Sequence, residues 1–550
     1  MTKFSIEYNP YLAQCTFKKN GEILNAESKI GARREVRFQI LLGSLENWRG
    51  LLEEIAIYCD DDEIELTFKG RKIDYDDLKY TVKLYTGETK FRLVFVEAEK
   101  DDANIIADLD KIFAEIKKKN LPEFQEKDKD GRDIFEIYED VKNGIFEVNV
   151  IGTMSSGKST LINSLLYKEL LPAENQACTG TIATILDNDD MDEYEAKCYA
   201  DDHRTIVHPE TIVNAEKMKE YNADEKVTFI DIEGNIPAIS SDKIKLCLRD
   251  TPGPNNSENK RHEHLTTSII RRTNAVVLYV MNATQMETDD DKGVLKNIAY
   301  EMQLAGKQSR DRFIFVINKC DEIDVETESI EELLGRTRTY LKQFGIIEPT
   351  LIPVSAKLAL LIRKFRNKEK LTIKETTFLN SHKELFIQYA EYHFEKYATL
   401  TPTVREYLQN EVDNFANSGE LDLKAIIHSG VPAVEQAVRE YVDKYAYPMK
   451  IKDAVTDILR ILDELNMVEK FDQKAASSNE KLYQVRRQIE EAQRKHGDSE
   501  SIYIDFKTRI NDLQLDGVEA DKVLKGVETE LEYITRQYSG IELRDKIEAD

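Results

Sequence analysis

The chain has 550 residues, 41% of them apolar and 33% charged, which is enough for roughly three or four domains with real cores. Its formal net charge of −26 disfavours non-specific binding to nucleic acid or anionic membrane by the whole molecule, although a local basic patch could do either job. The six cysteines are scattered, with no CxxC pair and no His/Cys cluster, so reduced intracellular thiols are expected rather than a disulfide frame or a zinc site.

The opening MTKFSIEYNPY has no apolar stretch after its first lysine and does not read as a signal peptide. No apolar run reaches the ~18 residues that a membrane-spanning helix needs. A soluble, cytoplasmic chain is expected, with peripheral membrane attachment left open. Residues 1–98 read as a separate small α+β domain. Alternation over 4–8 and 16–18 predicts strands, and Asn20-Gly21 is a hairpin signal. A helical pattern carries Leu45, Trp48, Leu51, Leu52, Ile55 and Ile57. It is followed by the strand EIELTF, a Lys69-Gly70 turn, a short helix over 75–84 and a strand over 91–96. This part shows no constellation of chemical residues and reads as a packed adaptor or interaction module.

Residues 99–144 form an amphipathic helix and a linker. Ile105, Ile106, Leu109, Ile112, Phe113 and Ile116 fall on one face of a helix over 101–120, and Leu121-Pro122 ends it. Such a stripe must be covered, and a helix from the far end of the chain is the expected partner. From 145 to 447 strands and helices alternate, as in a doubly wound, mostly parallel α/β sheet, with a helical insertion at about 360–425. Strand candidates are the apolar run 145–151 and residues 245–248, 275–280, 313–317 and 351–355. Residues 448–550 are expected to be a helical bundle or neck. Heptad-like seams run through Ile451, Val455, Ile458, Leu462 and Leu465, through Leu482, Val485 and Ile489, and through Val523, Val527, Leu531 and Ile534.

Four short strings in the 145–447 region carry chemistry. The first is GTMSSGKST at 152–160, set between an apolar strand and a helical pattern, which is the context of a phosphate-binding P-loop. Gly152 and Gly157 permit the bend, and the N–H groups of Ser156 and its neighbours turn inward onto phosphate oxygens. Lys158 would reach the β- and γ-phosphates, and Ser159, followed by Thr160, would offer a hydroxyl to Mg²⁺. The second string is DTPG at 250–253: Asp250 can hold a water on Mg²⁺, and the Gly253 N–H can meet the γ-phosphate. The third is Asn318-Lys319-Cys320-Asp321, where the Asp321 carboxylate can accept from both N1–H and the 2-amino group of guanine, a pair that adenine lacks. In the fourth, Ser355-Ala356-Lys357, a backbone N–H could bond guanine O6. Each string is weak alone, but each follows a predicted strand and all four are in order, which selects GTP over ATP.

This combination resembles the P-loop GTPases, and more narrowly the bacterial branch of the dynamin superfamily. The residues that carry the narrower resemblance are GTMSSGKSTLINSLL, Ala177-Cys178-Thr179, DTPGPNNS at 250–257, and HSGVPAVEQAVREYVDKYA at 428–446. The resemblance covers about 145–447 and does not cover 1–98. It implies a GTP-hydrolysing, mechanochemical protein with Mg²⁺, a helical neck and a homodimer through its GTPase domains. A membrane surface or a partner protein is then expected, and no nucleic acid. Thr179 would be the switch I threonine that closes on Mg²⁺, with Thr181 as runner-up. Eukaryotic dynamins usually have a glutamine at the position of Met154, so water placement here must come from backbone, from Ser155 or from another chain. Two alternatives stand beside this reading: an Era-like switch that gates a protein or RNA partner, and a scaffold that binds GTP without hydrolysing it. His262 and His264 could order around the γ-phosphate or be solvated. The run RKFRNKEKLTIK at 363–374 could face lipid but is better read as a solvated helix face.

Overall fold

The computed structural model describes residues 1–11, 14–25, 27–33, 50–97, scattered positions between 107 and 139, 145–153, 155–172, 181–239, 245–251, 270, 275–286, 289–304, 312–449 and 451–452. It divides into two compact units. One comprises Met1–Leu42, Arg49–Gly144 and Lys444–Asp550, and the other Gly43–Trp48 and Ile145–Asp443.

The first unit is built on a five-stranded sheet. Its strands are β1 (Thr2–Asn9), β2 (Gln14–Lys19), β3 (Glu22–Ile23), β4 (Glu63–Gly70) and β5 (Lys90–Glu97), in the order β3-β2-β1-β4-β5. Asn20 (φ 52°) and Gly21 (φ 90°) both lie in the left-handed region, so Lys19 pairs directly with Glu22 across a two-residue primed turn. Helix α1 (Gly50–Cys59) buries Leu51, Leu52 and Ile55, but Ile57 is 80% exposed and does not belong to the apolar face. Gly70 does not turn; it ends β4, and α2 (Lys72–Leu84) starts earlier than the sequence suggested. The reason is a buried polar cluster. Arg71 Nε meets Asp74 Oδ2 at 2.9 Å, Arg71 Nη2 donates to the Lys444 carbonyl at 3.0 Å, and Lys444 Nζ meets Asp77 Oδ2 at 2.5 Å. Between 107 and 139, Leu109 and Phe113 are buried, and Phe113 stacks on Tyr138 with ring centroids 4.0 Å apart. The expected packing of the 101–120 stripe on the seams after 451 lies outside the described residues, apart from Ile451, which is buried.

The second unit holds a nine-stranded sheet in the order β14-β13-β12-β6-β11-β7-β10-β8-β9. The strands are β6 (Ile145–Gly152), β7 (Ile182–Asp187), β8 (Glu195–Tyr199), β9 (Ile206–Ile212), β10 (Phe229–Gly234), β11 (Lys245–Asp250), β12 (Val276–Asn282), β13 (Phe313–Asn318) and β14 (Thr350–Val354). From β14 to β11 every pairing is parallel. β12 and β13 are buried at every residue, which is why they read as unbroken apolar runs. Beyond β11 the sheet becomes mixed: β7 is antiparallel to β11, β10 is parallel to β7, and β8 and β9 add as antiparallel strands. β8 and β10 alternate buried with half-buried residues, a weaker signal over five or six positions.

The described helices of this unit are α3 (Lys158–Leu165), α4 (Ala215–Ala223), α5 (Asp289–Leu304), α6 (Ile330–Lys342), α7 (Ala356–Arg366), α8 (Ile373–Gln388), α9 (Pro402–Ser418), α10 (Leu421–His428) and α11 (Val431–Tyr441). A π-turn, Val442–Ala446, continues α11. No helix among the described residues is long and apolar enough to cross a membrane.

Candidate functional site

The carboxyl ends of the parallel strands carry the chemistry, and β6, flanked by β11 and β12, is where the chain's winding reverses. β6 stops at Gly152, where a Cβ would lie 2.3 Å from the Val280 carbonyl oxygen. Ser155 (φ 61°) and Gly157 (φ 89°) both take left-handed backbone, and a Cβ on Gly157 would meet Asn318 Nδ2 at 2.2 Å. Backbone N–H groups in such a bend, followed at once by the amino end of α3, form an anion-binding concavity. Ser156 is buried and its hydroxyl donates to the Thr153 carbonyl at 2.9 Å, which closes the loop internally. Lys158 Nζ donates to the carbonyls of Gly152 (3.0 Å) and Thr153 (3.1 Å), so its charge is bowed over the loop; Thr160 follows two residues into α3.

Ser159 Oγ donates to Asp250 Oδ2 at 2.9 Å across 91 residues of sequence. The other carboxylate oxygen, Asp250 Oδ1, is buried and has no hydrogen-bond partner. Burial pushes the Asp250 carboxyl above its ordinary range, against the Lys158 charge and the Ser159 hydrogen bond. A hydroxyl beside a carboxylate with one uncommitted oxygen is the hard-oxygen donor set that Mg²⁺ takes while keeping several waters. These two residues fit that cation.

Asn318, at the end of β13, is 3% exposed and ties two loops together. Its Nδ2 donates to the Ser156 carbonyl at 2.9 Å, and its Oδ1 accepts from the Ala356 N–H at 3.1 Å. The next residue, Lys319 (φ 64°), turns the chain into a short 3₁₀ turn, Cys320–Glu322, which presents Asp321. Burial raises the Asp321 carboxyl above its ordinary range, while a hydrogen bond from Ser355 and the nearby charges of His382 and Lys357 oppose that rise. Ser355 is fully buried, caps α7 by accepting from the Leu358 N–H at 3.3 Å, and donates its own N–H to the Ser429 carbonyl at 2.8 Å. Lys357 Nζ lies 4.0 Å above the centre of the Phe378 ring. One buried amide thus joins the loop after β6 to the segment after β14.

Met154, Thr179, Gly253, His262 and His264 lie outside the described residues. Thr181 is described, half-buried just before β7. In the basic run at 363–374, Arg366, Lys368, Lys370 and Lys374 are exposed, as a solvated face requires, whereas Arg363 and Lys364 are not. Arg363 and Lys364 are each 5% exposed: Arg363 pairs with Glu435 at 2.6 Å, and Lys364 with Glu169 and Glu375 at 2.5 and 3.0 Å. Arg366 pairs with Glu420 at 2.8 Å. The roles of Asn318 as a tie and of Ser429 as a support were not legible, since both depend on distant backbone.

Residues 148–320 match the family model described as the Dynamin family. Over 221 residues the chain is 25% identical to the bacterial dynamin-like protein of Nostoc punctiforme, a match covering 38% of this chain and 30% of that protein. Over 250 residues it is 27% identical to an uncharacterized protein in the xynA 3′ region of Caldicellulosiruptor sp., covering 43% and 55%. The matched region therefore spans between 30% and 55% of those two curated relatives. Among solved structures, an oligomerised bacterial dynamin pair aligns over 78% of this chain and 60% of its own, with 16% identity and a TM-score of 0.35.

Proposed function

We propose that this chain is a dynamin-like GTPase that binds GTP with Mg²⁺ and hydrolyses it to GDP and phosphate, a reading supported by the match of residues 148–320 to the Dynamin family. The observation that carries this reading is the Asn318 bridge. It sets a phosphate loop with Lys158, Ser159 and Asp250 at one end of the site and Asp321, Ser355 and Lys357 at the other. In this reading the triphosphate lies on the loop after β6 and the base at the Asp321 end, where the carboxylate would select guanine by accepting two hydrogen bonds from its N1–H and 2-amino edge.

Catalysis would be mostly positioning and charge stabilisation. The backbone N–H groups of 155–159 cradle the phosphates, and Lys158 leaves its two carbonyl partners to meet the β- and γ-oxygens. Ser159 and Asp250 would hold Mg²⁺, which when bound neutralises charge developing on those oxygens. Thr179 and Gly253 would close on the γ-phosphate. The Met154 thioether cannot orient a water, so Ser155, exposed at the loop tip, or a second copy of the chain must do so. GTP-dependent pairing of two GTPase domains would exclude water from the site and supply that donor in trans. The Ser429 carbonyl, held by Ser355, connects the base loop to α11 and the π-turn, a route by which nucleotide state would reach a helical neck. Peripheral action at a membrane surface belongs to the same reading.

Asp321→Asn tests it. The amide donates where the carboxylate accepted, so the variant should lose GTP and gain xanthosine triphosphate, measured by nucleotide titration. Wild-type protein that binds ATP as tightly as GTP would overturn the assignment.

A further inference from the structure

Outside the nucleotide site, the second unit brings together three side chains that the sequence keeps apart. Glu395 lies in the 3₁₀ turn Phe394–Lys396, His393 directly precedes that turn, and His428 ends α10. Their potential ligand atoms all lie within 4.8 Å of one another, and no other such group of three is found among the described residues. His428 is fully buried and Glu395 is 5% exposed. Within the group, His428 Nδ1 and Glu395 Oε1 share a hydrogen bond at 3.0 Å. Both nitrogens of His393, Nε2 of His428 and Oε2 of Glu395 are buried with no hydrogen-bond partner. Leaving polar atoms dry costs about 1–3 kcal/mol each, so four in one place call for a ligand.

We propose that His393, Glu395 and His428 form a binding site for a divalent transition-metal cation of the Zn²⁺ class, separate from the oxygen-lined Mg²⁺ position at Ser159 and Asp250. Two imidazoles and one carboxylate are a zinc-type donor set with a fourth position for water, and imidazole selects against Mg²⁺ and Ca²⁺. A tetrahedral ion holds its ligand atoms about 3.4 Å apart, so the cluster must draw in by about an ångström. The two imidazole rings are stacked with centroids 3.5 Å apart and planes 2° from parallel; coordination would splay them so that their lone pairs converge.

The site's position gives it a task. Both segments that bear the ligands hang on β14, the strand that leads into Ser355. The Ser429 carbonyl accepts from the Ser355 N–H at 2.8 Å, and the Thr399 N–H donates to the Leu351 carbonyl at 2.8 Å. A bound cation would pin the 393–395 segment to the end of α10 behind the base loop.

The experiment uses full-length protein stripped with a chelator and kept in saturating Mg²⁺, titrated with Zn²⁺ by calorimetry and with Co²⁺ by visible absorption. Wild type, His393→Gln and Glu395→Gln are compared. Wild type should take up one equivalent more than His393→Gln and show the visible band of four-coordinate Co²⁺. His393→Gln should lose that band, and Glu395→Gln should bind Zn²⁺ about tenfold more weakly or worse. Zn²⁺ should also raise the melting temperature of wild type and not that of His393→Gln. The His393 ring has no hydrogen bond to lose, so its variant should fold, and Glu395→Gln keeps the side-chain shape. Equal stoichiometry and identical Co²⁺ spectra in wild type and His393→Gln would overturn the proposal and leave the cluster as a hydrated polar core.

Discussion

For the proposed guanine contact, Asp321 must be ionised in a place that resists ionisation. Burial raises its carboxyl pKa, and the opposing hydrogen bond from Ser355 does not cancel that rise. A folded-state pKa above the unfolded one adds stability at low pH, and that stability is lost as pH rises through the raised value. Near neutrality the protein without nucleotide is therefore destabilised by the residue proposed to select guanine. Asp321→Asn should melt higher than wild type at neutral pH without nucleotide, and the gap should close as the pH falls below the ordinary carboxylate range. Wild-type GTP affinity should weaken over the same descent, because a protonated Asp321 cannot accept twice. Melting curves and GTP titrations in neutral and mildly acidic buffers check both; a variant less stable than wild type at neutral pH would contradict the burial argument.

Asn318 belongs to the same scale. Replacing it with alanine orphans the Ser156 carbonyl and the Ala356 N–H, at about 1–3 kcal/mol each. Asn318→Ala should weaken GTP and GDP alike by about tenfold or more, since about 1.4 kcal/mol is a factor of ten. Unchanged nucleotide affinity would show that the two loops do not need the tie. Spacing alone pointed to Lys158, Ser159, Asp250 and Asp321, because each sits in a short string after an apolar strand. It could not reveal that one asparagine spans 162 residues to join two of those strings, because that link is tertiary.

Among the elements, legibility followed burial. β12 and β13, buried on both faces, announced themselves as continuous apolar runs, whereas β8 and β10, with one face half-open, did not. The charged run after Ile362 is solvated at Arg366, Lys368, Lys370 and Lys374, but its first two residues show that charge is not exposure: Arg363 and Lys364 are buried and paired with glutamates. The first unit repeats the lesson at α2, where Asp77 and Lys444 are 0% and 1% exposed. A buried pair contributes little net stability over apolar residues, but removing one partner costs about 3–5 kcal/mol, less where a neighbour such as Asp74, which also feels the Lys444 charge, takes over. Asp77→Ala should lose stability on that scale in urea unfolding, and Asp77→Asn less, because the amide can still accept from Lys444. A loss below about 1 kcal/mol in Asp77→Ala would mean that Lys444 is held by other groups.

For the whole molecule, the central claim is that hydrolysis requires two GTPase domains to meet. It rests on the P-loop: Met154 removes the usual water-placing amide, while Ser155 projects from the loop tip with left-handed backbone. The measurement is GTP turnover over a roughly hundredfold dilution series, with light scattering on the same samples and with GDP plus aluminium fluoride as the transition-state mimic, since pairing obeys mass action. Specific activity should rise with protein concentration, and the mimic should drive dimers that GDP alone does not. Lys158→Ala serves as the blank and should fall far more than the tenfold that about 1.4 kcal/mol would give. A specific activity that stays flat while the protein scatters as a monomer would contradict the claim and leave a lone switch that gates a partner.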